Sequence, residues 1–258
     1  MTIVRPKVYL LAESTLLLDD VETWLAELGG STCTEHVTGE DAEQLIELAA
    51  RRCYKSFTPG LNPNVKSIRK SSQDYHENIL KQAHGSVLEH SSCTFALEYV
   101  SRVFTHELVR HRAGVAYSQE SLRYVRLTEL GFRMPKVIAN NSEAKAKFEE
   151  AVSYLEHCQT KLAEIFNIDN MKDFNIKKVL TSAFRRIAPI GLATGIVMTC
   201  NFRTLRWLIE HRTTEHAEEE IREVIGMVAA IAVERWPFVF GDFTRDDNGT
   251  WTPKYRKV

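Results

Sequence analysis

The chain has 258 residues, enough to bury a sizeable core, and its 44% apolar and 26% charged residues are ordinary for a soluble globular protein. Lysine and arginine together total 33 against 34 for aspartate and glutamate, which argues against a general nucleic-acid binder, since such proteins carry a basic surplus. No apolar run reaches membrane-spanning length and no secretion-signal pattern opens the chain. Cys33, Cys53, Cys93, Cys158 and Cys200 are scattered without a CxxC pair, so a reducing, cytoplasmic setting is expected, with no disulfide framework and no structural metal.

In chain order, "KVYLLAE" (7–13) predicts a strand, "LDDVETWLAEL" (18–28) a helix and "EDAEQLIELAARRCY" (40–54) a second helix. The loop "TPGLNPN" (58–64) separates these from a helix over "SSQDYHENILKQAH" (71–84). "SSCTFALEYVS" (91–101) alternates and is rich in β-formers, which predicts a strand, and 101–112 suits a helix stopped near Gly114. The Lys/Glu-rich stretch 143–166 predicts a long solvated helix. Met171, Phe174, Val179, Ala183 and Phe184 recur at helical spacing, predicting a core-facing stripe in 171–187. "GLATGIVMTCNF" (191–202) predicts a buried strand, and helices over 202–212 and 215–235 follow. The strands are too far apart for hairpins and show no βαβ rhythm, so the fold class is α+β in one domain, 1–258.

The chemistry concentrates in "ELVRHRAGVAYSQESLRYVRL" (107–127), where local positive charge suits a small anionic ligand. "HELVRH" brings a zinc-protease signature to mind, yet His106 and His111 are five apart. At about 100° per residue that leaves them roughly 140° out of line on a helix, so they cannot share a metal. Arg110 and Arg112 on a helix would point to nearly opposite sides, as if toward two anionic ligands. If 117–125 runs extended, Tyr117, Gln119, Ser121, Arg123 and Val125 share a face offering amide, hydroxyl and guanidinium groups, a set suited to a nucleotide. A solvated charged turn explains the same cluster equally well.

Further on, Leu205, Leu208, Ile209 and Arg212 form one helical stripe. An arginine ending such a stripe either snorkels to solvent or has a ligand. Arg185 closes the 171–187 helix, where it answers the helix dipole, and Arg203 and Arg206 read as surface positions. Ser121 has no evident base beside it, so a binding hydroxyl is the more modest reading than a nucleophile.

From about residue 50 to about residue 240 the chain resembles the flavin-dependent thymidylate synthases. The resemblance rests on Arg110-His111-Arg112 followed by "YSQESLRY" (117–124), with "HGSVLEHSSCTF" (84–95), "RRIAP" (185–189) and "NFRTLRWLIEHRTTEHAEEEI" (201–221) in the same order. It implies a central, mostly antiparallel twisted sheet flanked by helices. The implied reaction transfers a one-carbon unit from methylenetetrahydrofolate to C5 of dUMP, with NADPH-reduced FAD as hydride source, in a homotetramer that acts on neither nucleic acid nor membrane.

By position, the resemblance assigns His84, Ser86, Arg110, His111, Arg112, Gln119, Asn201 and Arg203 to the cofactor side. Glu107, Arg110, Gln119, Glu120, Ser121, Leu122, Arg123, Arg185 and Arg212 fall on the nucleotide side, with Arg212 as the catalytic residue facing the uracil. Two departures stand out. Eight residues, 113–120, separate Arg112 from Ser121 where the family has seven, and Glu107 stands where the family commonly has glutamine. Both bear on the sugar of the nucleotide and leave a UMP methylase open as an alternative; a non-catalytic nucleotide- or RNA-binding relative is the other.

Overall fold

A computed structural model describes residues 2–122, 131–256 and 258. Along the chain run β1 (Thr2–Ile3), β2 (Lys7–Glu13), α1 (Leu18–Glu27), α2 (Asp41–Tyr54), α3 (Ser72–Lys81), β3 (Ser92–Ser101), α4 (Arg102–Leu108), β4 (Val115–Gln119) and β5 (Gly131–Phe132). There follow α5 (Lys136–Ala139), α6 (Ser142–Ile165), α7 (Phe174–Phe184), β6 (Ala193–Asn201), α8 (Phe202–Arg212), α9 (Glu219–Arg235), α10 (Pro237–Phe240), β7 (Phe243–Arg245) and β8 (Trp251–Pro253). Among the described residues helix outweighs strand, 52% to 17%, and the principal sheet is antiparallel, so the fold is α+β. That sheet has the order β2-β3-β6-β4, so β6 lies between two strands that are consecutive in the chain.

The chain divides into two compact units. One comprises residues 1–9, 96–111 and 117–198, the other 10–95, 112–116 and 199–258. In the second unit, Leu205, Leu208 and Ile209 of α8 and Ile221, Val224, Ile225 and Val228 of α9 are buried, as their helical spacing requires. Phe202 packs against Trp236 at 4.6 Å and edge-on against Phe240 at 5.3 Å. A capping box between Glu40 and Glu43 starts α2, and the Asn201 side chain caps α8.

In the first unit, β5 pairs in parallel with β1, and Phe132 meets Phe148 of α6 edge-on at 5.3 Å. The core-facing stripe expected in 171–187 is not found. No residue of α7 is buried, and Phe174 and Val179 are 63% and 67% exposed. Periodicity marks an apolar face but does not say what covers it. In β6, Thr194, Ile196, Met198 and Cys200 are buried and alternate with half-buried neighbours, so the strand has one core face rather than two.

The helix expected over 101–112 ends at Leu108. The Tyr117 hydroxyl lies 2.9 Å from the Leu108 carbonyl, the acceptor a continuing helix would have used, and 3.1 Å from that of His111. Arg110 to Arg112 therefore lie beyond the helix, and helical geometry does not set their directions. The helix expected over 71–84 likewise stops at Lys81.

Candidate functional site

The end of α3 builds one wall of a cavity in the second unit. The His84 amide donates to the Ile79 carbonyl at 3.0 Å and the Ala83 amide to that of Leu80 at 3.1 Å, a Schellman closure. Ala83 occupies its left-handed position at φ +56°, a conformation that costs a residue with a Cβ about 1–2 kcal/mol. The strained turn sets His84, exposed, at the start of the short helical turn Gly85–His90, which presents Ser86.

His84, Ser86 and Arg203, drawn from two separate sequence blocks, line a single cavity of about 770 Å³ together with Arg51, Tyr54 and Tyr75. Arg51 is fully buried. It pairs with Glu47 at 2.5 Å, lies over the Tyr75 ring at 4.3 Å, and donates to the carbonyls of Ser56 (3.0 Å) and Arg69 (2.8 Å), pinning both ends of the loop between them. Sequence reasoning passed over Arg51. Its signal was an arginine at the end of α2 with a glutamate four residues earlier.

Arg203 reaches Glu89 at 2.6 Å with both side chains about half exposed, a geometry that leaves the guanidinium open to a ligand. Arg112 is exposed, and the loop after it lies on the first turn of α8. The Asn201 amide donates to the Gly114 carbonyl at 3.0 Å and the Thr204 hydroxyl to that of Ala113 at 2.9 Å. Asn201 Oδ1 is taken by the Thr204 amide at 2.8 Å, so what this side chain can offer a ligand is its amide hydrogens.

Arg212 closes α8, half-buried. Behind it the buried Thr213 hydroxyl donates to the Ile209 carbonyl at 2.8 Å and accepts from the Trp251 amide at 2.9 Å, so the helix end is held rigidly. Arg206 is not the surface residue its sequence suggests. It is 4% exposed and grips Asp242 through two bonds of 2.6 and 2.9 Å. It also donates to the Val239 and Tyr255 carbonyls and lies over Phe243.

The first unit holds the remaining positions. Gln119 donates to the Thr105 hydroxyl at 2.9 Å, and one carboxylate oxygen of Glu120 lies 3.4 Å from both the Thr194 hydroxyl and the Gly195 amide. Glu107 sits in α4, Arg110 and His111 in the turn after it, and Ser121 just past β4. Arg185 and the buried Leu122 line a cavity of about 290 Å³ with Gln159, Thr181 and Asp169. Arg123 lies outside the described residues.

Arg102 was not anticipated. Its Nη2 donates to the Glu120 carbonyl at 3.0 Å, and its buried Nε has no partner among the described residues. Burial lowers its affinity for the proton, Glu120 opposes that, and Arg185 adds to it, so two guanidiniums act on each other beside Glu120. The signal for it was a cation at the first position of a helix, where the dipole disfavours one.

The geometry thus defines two groups of anion-directed side chains, one in each unit. Residues 35–238 match the sequence profile of the thymidylate synthase complementing protein family, and the chain belongs to that family. It is 34% identical over 206 residues to a flavin-dependent thymidylate synthase of Corynebacterium diphtheriae, covering 79% of each chain. To those of Mycobacteroides abscessus and Mycobacterium tuberculosis it is 33% and 31% identical, the latter over 92% of this chain and 89% of the relative.

Proposed function

We propose that this protein is a flavin-dependent thymidylate synthase that methylates C5 of dUMP, with methylenetetrahydrofolate as one-carbon donor and NADPH as reductant. The observation that carries this reading is the convergence of His84, Ser86 and Arg203 on one cavity of about 770 Å³, within the usual size of a cofactor site. The donor set suits FAD. A half-exposed arginine, Arg203, and the hydroxyl of Ser86 are donors of the kind that phosphate and ribitol oxygens accept from, and His84 offers a ring beside them. In the reaction a one-carbon unit joins C5, tetrahydrofolate leaves and the C5 hydrogen departs as a proton; FAD held here would supply, after reduction by NADPH, the hydride that completes the methyl group.

The chain's own residues bind and polarise. Arg112, Asn201 and Arg203 are assigned to the cofactor, together with Arg110, His111 and Gln119. Arg185, Ser121, Arg123 and Gln119 hold the nucleotide, with Arg102 as an added cation, and Glu107, Glu120 and Leu122 shape its surroundings. Arg212 faces the uracil, where a permanently charged, planar donor stabilises the anion that makes C5 nucleophilic. Self-association into a homotetramer is supported by the exposed apolar side chains Ile176 and Val179, which lie about 60° apart on α7. A cytoplasmic setting is supported by five free cysteines, and no helix among the described residues is long and apolar enough to cross a membrane.

The test is to incubate purified protein with FAD, NADPH and methylenetetrahydrofolate together with dUMP or UMP, and to identify the product by mass. A gain of one methyl group on dUMP is expected. Methylation of UMP alone would identify the ribonucleotide methylase instead, and no product with either nucleotide would refute the enzymatic reading.

A further inference from the structure

The Arg112–Ser121 interval, eight residues long, is anchored by its backbone on α8. Gly114 has φ +67°, and a Cβ there would stand 2.3 Å from Asn201 Nδ2 and 2.7 Å from Thr204 Oγ1. The loop therefore sits directly on the first turn of α8, too close for any side chain. Two successive carbonyls, Ala113 and Gly114, are held by the Thr204 hydroxyl and the Asn201 amide. Any residue at 201 except proline supplies an amide. The other bond needs a side-chain donor at 204, which threonine supplies as its hydroxyl.

We infer that Thr204 is a positioning residue for the flavin site, fixing the register of the 113–116 loop so that Arg112 and Arg203 are held at one spacing. This rests on the assignment of both arginines to FAD proposed above. Each arginine is the sequence neighbour of one end of the bond, Arg112 next to Ala113 and Arg203 next to Thr204. The tie is thus two peptide units long. Without it the loop keeps, of these two bonds, only the Gly114–Asn201 one, and the peptide unit next to Arg112 is no longer held to α8. The tie is exposed, so water replaces it at little cost to the fold. Its consequence is expected in binding and not in stability.

The experiment compares Thr204→Val, which keeps the shape and removes the donor, with Thr204→Ser, which restores it. FAD affinity is read by flavin fluorescence, alongside turnover at saturating FAD and the melting temperature without cofactor. Thr204→Val is expected to weaken FAD binding about three- to tenfold, the worth of one hydrogen bond, with turnover at saturating FAD and melting temperature close to wild type. Thr204→Ser is expected to bind like wild type. Gly114→Ala pushes on the same contact from the loop side and is expected to weaken FAD in the same sense.

Equal FAD affinity in Thr204→Val and wild type would overturn the inference while leaving the flavin assignment standing. So would failure of serine to rescue. A wild-type protein that binds no FAD would remove the assignment itself, and this inference with it.

Discussion

Arg203 and Arg206 lie one helical turn apart on α8 and look alike in sequence, yet Arg203 is half exposed and Arg206 buried, a difference that a pair of substitutions separates. Arg206→Met keeps the aliphatic volume and deletes the charge. Asp242, 8% exposed, would lose both of its guanidinium bonds and, among the described residues, keep the Tyr255 amide at 3.2 Å. Removing one partner of a buried ion pair costs about 3–5 kcal/mol, because the other charge stays buried and unpaired. At about 2–4 °C per kcal/mol for a chain of this size, the melting temperature should fall by roughly 6–20 °C. Arg203→Ala breaks only a pair whose members are 46% and 48% exposed, worth about 0–1 kcal/mol, so its melting temperature should barely move while FAD affinity falls. Thermal unfolding without cofactor and a flavin titration read both effects. An Arg206→Met protein as stable as wild type, or an Arg203→Ala protein destabilised as much as Arg206→Met, would refute the reasoning.

Arg212→Ala should keep its fold and its flavin while turnover at saturating nucleotide drops about a hundred- to a thousandfold, and Arg212→Lys should recover little. Near-normal turnover would move uracil activation to another residue. In native protein a thiol reagent should modify exposed Cys53 first and Cys158 more slowly, with Cys33, Cys93 and Cys200 reacting only after denaturation; rapid native labelling of three or more thiols would contradict this burial pattern. Burial pushes the Cys33 thiol up to about 11, so between its ordinary value near 9 and that point the unfolded chain loses a proton that the folded chain keeps. Stability should therefore fall as pH rises from 9 to 11, and Cys33→Ala should flatten the slope; urea titrations with an unchanged slope in the variant would assign the loss to other groups.

Most helices and strands were legible because their cores are local. The stripe Leu205, Leu208, Ile209 is buried as its spacing requires, and β2, α1, α2, β3, α8 and α9 lie within a few residues of the expected spans. Three features were not legible, each for a physical reason. The stop of α4 at Leu108 depends on the Tyr117 hydroxyl reaching back nine residues. The burial of Arg206 depends on Asp242 and Tyr255, in a C-terminal stretch with no motif to mark it. Among the described residues nothing buries a side chain of α7, and periodicity does not report what covers an apolar helix. At the candidate site, His84, Ser86 and Arg203 were named from separate blocks and share a cavity, while Arg51 and Arg102 carry no motif and emerge only from their contacts.

The central claim is C5 chemistry on dUMP that depends on flavin. Its most direct measurement is release of tritium to water from dUMP labelled at C5, with FAD, NADPH and methylenetetrahydrofolate each present or withheld. One tritium is expected per methylated nucleotide formed, only in the complete mixture, with both signals lost together in Arg212→Ala. Methylated product formed at an undiminished rate by flavin-free protein, or no tritium release from the complete mixture, would contradict it.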